Sequence, residues 1–158
     1  MLRIESVGDA FERRRVARRV LQALPDWFGI EETREGYIRD SAGQTCFAAY
    51  LDGEPAGFLC LKPTGDATVE LAVMGVLPEH HRDGIGRMLF QAARDRAREA
   101  GYAFMQVKTV QFGVYEDYDR TNRFYQSLGF REFEVFPTLW DEANPCQVYV
   151  MSLGGVQG

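Results

Sequence analysis

Long apolar runs are missing from this sequence. No stretch approaches the roughly 20 residues that a membrane-crossing helix needs, so no membrane partner is expected. Cysteine is scarce: Cys46, Cys60 and Cys146 are odd in number, widely spaced and free of any C-x-x-C pair. Reduced thiols in a cytoplasmic protein follow from that pattern, in place of a disulfide framework. Only two histidines occur, adjacent at His80 and His81, with no Cys or His partner at ligand spacing, so no metal is expected. Basic residues are outnumbered, 18 Lys and Arg against 23 Asp and Glu, and the net charge of −5 disfavours a nucleic-acid partner. The run Arg13-Arg14-Arg15 with Arg18 and Arg19 has acidic neighbours and reads as a solvated helix face. There is no internal repeat and no low-complexity linker, and the residues after Met1 show no signal-peptide h-region.

What is present suits one core. A chain of 158 residues matches a single domain over 1–158, and its 46% hydrophobic residues, with 13% aromatic, can fill that core. Residues 2–7 alternate as an opening strand. Asp9 is placed to N-cap a helix with apolar positions Phe11, Val16, Val20, Leu21 and Leu24, ended by Pro25. Residues 26–30 read as a loop carrying Trp27 and Phe28, and a shorter helix is expected over 31–39. Apolar runs at 46–51 and 56–61 flank Asp52-Gly53-Glu54-Pro55, a hairpin turn. Further strands are expected over 68–76, 103–110, 131–136 and 147–153, and a helix over 120–127.

The most informative segment is 76–101, VLPEHHRDGIGRMLFQAARDRAREAG. A strand ends in Val-x-Pro, a short turn follows, and Gly84-Ile85-Gly86 opens a helix. From Ile85, Met88, Leu89, Ala92, Ala93, Ala97 and Ala100 fall at the spacing of one buried helical face, and Gly101 stands where a C-cap glycine belongs. Two glycines leave the backbone amides at the helix start uncovered, and those amides with the helix dipole favour a phosphate. A Rossmann fingerprint is excluded, because its third glycine is replaced by Leu89 and Glu99 lies inside the helix rather than after a second strand. A Walker loop is excluded because no lysine follows either glycine.

His81-Arg82-Asp83-Gly84-Ile85-Gly86 resembles the acetyl-CoA motif Q/R-x-x-G-x-G/A of the GNAT superfamily of N-acetyltransferases, with His81 where Gln or Arg is usual. Residues 122–130, NRFYQSLGF, resemble that family's second cofactor motif, and the element order β-α-α-β-β-β-α-β-α-β-β matches it over nearly the whole length. The resemblance implies an α+β fold, a mixed and mostly antiparallel sheet flanked by helices, with acetyl-CoA as co-substrate. It implies cofactor contacts along 81–87, from Arg82, Asp83 and Arg87 as well as the glycines. Backbone amides near Met74 and Val76 are implied to bind the acetyl oxygen and pantetheine, on a strand that splays from its neighbour. Where the family carries a pantetheine-binding asparagine, seven residues before the tyrosine, this chain has Tyr118. Asn122, three residues before Tyr125, reads as lying on another helix face, and both Tyr118 and Asn122 stand among the expected cofactor contacts.

Chemistry gives these residue types their meaning. Tyrosine holds its proton at neutral pH and can give it to a departing thiolate, the role the resemblance implies for Tyr125; the competing reading is a core aromatic beside Phe124. An alkyl ammonium must lose a proton before it attacks, and Glu70 stands at the offset of the family's glutamate base; the competing reading is an edge or surface glutamate. By strand alternation Glu70, Ala72, Met74 and Val76 share one face. Trp27, Phe28, Phe136 and Trp140 fall in the two regions that build the family's acceptor pocket, beside Asp26, Glu31, Asp141 and Glu142, a combination suited to an amine. The expected activity is acetyl transfer to a primary amine, of a small molecule first and of a protein N-terminus or lysine second. The cysteines lie outside the cofactor motifs, so direct attack is expected. A non-catalytic acyl-CoA sensor is the other class, and a homodimer is among the assemblies allowed.

Overall fold

A computed structural model describes residues 1–154; the last four positions of the expected domain, 155–158, lie outside the described residues. The elements are β1 (Leu2–Ser6), α1 (Ala10–Gln22), α2 (Pro25–Phe28), α3 (Glu31–Ser41), β2 (Thr45–Leu51), β3 (Glu54–Pro63), β4 (Thr68–Val76), a 3-10 turn (Pro78–His80), α4 (Ile85–Glu99), β5 (Phe104–Val110), α5 (Glu116–Ser127), β6 (Arg131–Asp141) and β7 (Asn144–Ser152). The seven strands follow the order β1-β2-β3-β4-β5-β7-β6. β4 and β5 run parallel, while β1 with β2, β2 with β3, β5 with β7 and β6 with β7 pair antiparallel. This is the expected α+β class. Among the described residues no helix is long and apolar enough to cross a membrane.

The chain divides into two compact units, one of Met1–Lys62 with Ala72–Arg96, the other of Pro63–Leu71 with the chain from Ala97 onward. In the first unit Asp9 caps α1 by accepting from the Glu12 amide at 2.9 Å. Val16, Ala17, Val20 and Leu21 form its buried stripe, and with Leu24, Ile38, Ala48, Phe58 and Val73 they make the core of this unit. Phe11, expected in that stripe, is exposed; five residues before Val16, it sits about 140° around the helix. Arg13 does not belong to a solvated face either: its guanidinium donates to the carbonyls of Val7 at 2.8 Å, Gly8 at 3.1 Å and Ala42. Two glycines set helix heights on the sheet. A Cβ at Gly75 would lie 2.8 Å from Leu24 of the α1 side, and one at Gly57 would lie 3.2–3.3 Å from Leu89 and Ile85 of α4.

In the second unit Met105, Val107, Val148, Tyr149 and Met151 fill the interior of β5 and β7, beside Tyr125, Leu128 and Phe130. The β5–β7 register runs from Phe104↔Ser152 to Val110↔Cys146. Gly101, at φ 90°, caps α4 as expected, with its amide on the Arg98 carbonyl and that of Tyr102 on Ala97.

The three largest boundary differences from expectation have local causes. Residues 26–30 are not all loop: Pro25 opens α2, where its missing N–H costs nothing, and the Leu24 carbonyl takes the amides of Trp27 and Phe28. α5 begins at Glu116, four residues early, with Glu116, Asp117 and Asp119 favouring the positive end of the helix dipole. β6 continues past Phe136 through Pro137 to Asp141; it stands last in the sheet order, where proline is tolerated, and its pairing with β7 shifts between Phe136 and Asp141.

Candidate functional site

In the first unit β4 delivers the chain to the glycine turn. Val73 and Gly75 are buried toward α1, so Met74 and Val76, both half-buried, face the other way by strand alternation. The turn is held by local bonds. The His81 ring donates from Nε2 to the Val76 carbonyl at 2.6 Å, which requires the proton on that nitrogen. His80 Nδ1 lies 2.9 Å from the Asp83 carboxylate. Gly84 sits at φ 77°, a left-handed conformation that glycine adopts without strain. A side chain there would meet nothing within 4 Å, so the backbone lies open to close approach. The Gly84 carbonyl receives the Met88 amide at 3.1 Å, the first rung of the α4 ladder. Amides at a helix start point out along its axis, and here they follow an open, glycine-built turn flanked by exposed Arg82 and Arg87. The residues expected to cradle a pyrophosphate are therefore brought together: His81, Arg82, Asp83, Gly84, Ile85, Gly86 and Arg87.

Trp27 joins this group. Its ring stands edge-on to His81 with centroids 5.9 Å apart. Phe28 turns elsewhere, making a T-shaped contact with Tyr37 at 5.8 Å.

In the second unit Glu70 is buried, 6% exposed, which removes the surface reading. Its carboxylate is ion-paired with the Lys108 ammonium. Cys146, on β7, feels both charges: burial pushes its thiol up, Lys108 opposes that and Glu70 adds to it. Burial also pushes the Cys60 thiol well up, with Cys46 directly opposite in the β2–β3 register adding to it. Neither thiol is poised as a nucleophile.

Tyr125 is 7% exposed and lies among Phe124 at 5.9 Å, Phe130 at 5.9 Å and Tyr149 at 6.2 Å between centroids. Asn122 is a correction. It does not sit on another face: three residues from Tyr125, it shares the inward face of α5 and is fully buried. Its amide donates to the carbonyls of Val110 at 2.8 Å and Tyr118 at 2.6 Å, and its oxygen accepts from the Tyr149 hydroxyl at 2.6 Å. Both donors are thus committed to the protein's own interior, and Asn122 reads as a strut rather than a cofactor ligand. Tyr118 is half-buried, with its ring 6.2 Å from that of Tyr115. Phe136 and Trp140 are exposed on β6, and Tyr115 reaches the neighbouring hairpin by donating to the Ala143 carbonyl at 3.2 Å.

Sequence reasoning missed Lys108 and Tyr149. Lys108 was detectable in part, since Gln106 and Lys108 are alternate polar positions in an apolar strand; nothing marked Tyr149 as the partner of Asn122.

A β-strand ending in an open, glycine-built turn at a helix start is the arrangement of a phosphate-binding protein. The sequence profile of the Acetyltransferase (GNAT) family matches residues 17–130, and the chain belongs to that family. The streptothricin acetyltransferase of Streptomyces lavendulae is 30% identical over 122 residues, which are 74% of this chain and 65% of that protein. The match thus spans less than two thirds of that relative's length. Among solved structures, the ribosomal-protein-S18-alanine N-acetyltransferase from Escherichia coli superposes with a TM-score of 0.77 at 18% identity, over 100% of this chain and 97% of that one. An aminoglycoside 6'-N-acetyltransferase complexed with coenzyme A gives 0.76 at 15% identity, over 99% of each chain. At those identities the likeness is one of fold.

Proposed function

We propose that this chain is an N-acetyltransferase that moves an acetyl group from acetyl-CoA to a primary amine of a small molecule by direct attack. The observation that carries the reading is the Gly84 turn, left-handed at φ 77° and open, standing between β4 and α4 inside the family match. That turn fits a pyrophosphate: its amides and Arg82 and Arg87 would hold the charge, and the Met74 and Val76 backbone would receive the acyl end. Acetyl-CoA supplies the activated acetyl thioester. Glu70 takes the proton that the acceptor's ammonium must lose, and the freed lone pair on nitrogen becomes the nucleophile. Tyr125 gives its phenolic proton to the departing sulfur. Trp27, Phe136 and Trp140 provide aromatic surface for an amine-bearing acceptor, and Phe28 backs that surface through its contact with Tyr37. Tyr118 remains with the cofactor contacts; Asn122 supports α5 from within.

The acceptor is read as a small amine because the 30% identical relative is a streptothricin acetyltransferase, whereas the relative that acts on a protein alanine shares 18%. Buried, unpaired thiols suit a cytoplasmic location for a single domain over 1–158, as monomer or homodimer. A thiol-release assay against small amines, including a streptothricin and an aminoglycoside, with N-terminal alanine peptides alongside, tests the reading. Acetyl-CoA-dependent thiol release with a small amine supports it, and release with peptides alone moves the acceptor to proteins. Tight acetyl-CoA binding with no acceptor turnover would make the chain a sensor.

A further inference from the structure

Among the described residues, Glu70 is the one acidic side chain counted as buried. A buried carboxylate is costly unless a charge and hydrogen bonds compensate it. Here the compensation comes from the next strand. β4 and β5 pair through Thr68↔Phe104, Val69↔Met105 and Glu70↔Gln106, and Lys108 stands two residues beyond Gln106 on the same face. Its ammonium bonds Glu70 Oε1. The pair is asymmetric: the Lys108 side chain is 28% exposed and that of Glu70 is 7%. The lysine therefore spans from solvent to the buried carboxylate. Gln106, on the same face, is engaged elsewhere, donating to the Thr64 hydroxyl at 2.8 Å. Cys146 on β7 is within the field of both charges, yet burial keeps it a neutral thiol that cannot replace either.

We propose that Lys108 is a positioning residue for acetyl transfer, holding the buried Glu70 carboxylate in place so that it can take the acceptor's proton. This rests on the reading of Glu70 as the base. In the step, an N–H bond of the acceptor ammonium breaks, its electron pair stays on nitrogen, and the proton goes to a Glu70 oxygen, directly or through one water. The proton then passes from the Glu70 carboxyl to solvent water, and the base is reset. A lysine serving only to staple β4 to β5 would affect stability and leave kcat per folded molecule unmoved.

The test compares the parent with Lys108→Met, Lys108→Arg, Glu70→Gln and the Lys108→Met/Glu70→Gln double variant. Each is followed by kcat and KM for the amine with highest turnover, with thermal unfolding and calorimetric acetyl-CoA affinity as controls. Lys108→Met should lose about 10-fold or more in kcat near pH 7, with KM for the amine and acetyl-CoA affinity little changed. Lys108→Arg should restore most of the rate, because it returns a cation that can bond the carboxylate. The double variant should be no worse than Glu70→Gln, since both changes remove one device. If Glu70→Gln is impaired while Lys108→Met keeps the parent's rate, the proposal is overturned and the base stands. If Glu70→Gln matches the parent near pH 7, the reading of the base itself falls. Should Lys108→Met fail to fold, Lys108→Gln against Lys108→Arg carries the same comparison.

Discussion

Replacing Asn122 with leucine separates a strut from a cofactor ligand. The substitution keeps the number of side-chain heavy atoms, so no cavity opens, but it strips the Val110 carbonyl and the Tyr149 hydroxyl of partners at 2.8 and 2.6 Å. The Tyr118 carbonyl loses a second donor and matters less, because it lies four residues back in the same helix. Leaving a buried polar group unsatisfied costs about 1–3 kcal/mol. Two such groups, partly relieved by local adjustment and by the Gln126 amide that still donates to Tyr149 at 3.2 Å, amount to about 2–4 kcal/mol. For a chain of this length that is a fall in Tm of about 5–15 °C. Acetyl-CoA affinity per folded molecule should stay within about 3-fold of the parent, while kcat drops because Tyr125, on the same helix face, rests against Tyr149. Asn122→Asp sharpens the test. It keeps an acceptor for Tyr149 but turns a carboxylate toward two carbonyls, so its folded form favours the protonated state. The unfolded chain ionises first, near pH 4, and the deficit should grow as pH rises from there until the folded carboxyl also ionises. Calorimetry with acetyl-CoA and thermal melts across pH decide the matter. A Tm within about 1 °C of the parent, together with a tenfold or greater loss of affinity, would refute the strut and return Asn122 to the cofactor.

Three further outcomes are expected. Gly84→Asp should fold, since aspartate tolerates positive φ and the position is open, yet lose most acetyl-CoA affinity through charge; Gly84→Asn should lose much less, and equal calorimetric affinities would put the phosphate elsewhere. Tyr125→Phe removes one hydroxyl and should cost about 100-fold or more in kcat at unchanged acetyl-CoA affinity; equal turnover with chemistry rate-limiting would remove it from the mechanism. Glu12 is held below the usual carboxylate range, chiefly by its hydrogen bonds from Arg15 and then by the Tyr50 hydroxyl. Because its folded form ionises more readily, its stabilisation is present above the ordinary carboxylate range and is lost as pH falls. Glu12→Gln should therefore be less stable than the parent by no more than about 1 kcal/mol at neutral pH, with the gap closing in acid.

Local chemistry was enough to read much of this protein from its residues. Strand 68–76, the Gly84-Ile85-Gly86 turn and the helix capped by Gly101 are all set by neighbours within a few positions, as are the Asp9 cap and the α1 stripe. A glycine turn and a helix start are local features, so the backbone geometry of that end of the candidate site was legible as well. The misreadings fall where local signals compete or context intervenes: Pro25 starts α2 although it also marks the end of α1, and Pro137 sits in β6 because that strand is last in the sheet.

Partnerships across the fold could not be read in advance. Glu70 and Lys108 are 38 residues apart, and Tyr149 and Asn122 are 27 apart. Which side chains meet depends on the register between strands, and a slip of one residue turns every side chain to the opposite face. The sequence by itself determined the elements other than α2, the family and the residue types able to move protons. Only the tertiary structure decided that Glu70 is buried against a lysine and that Asn122 spends its amide on the interior.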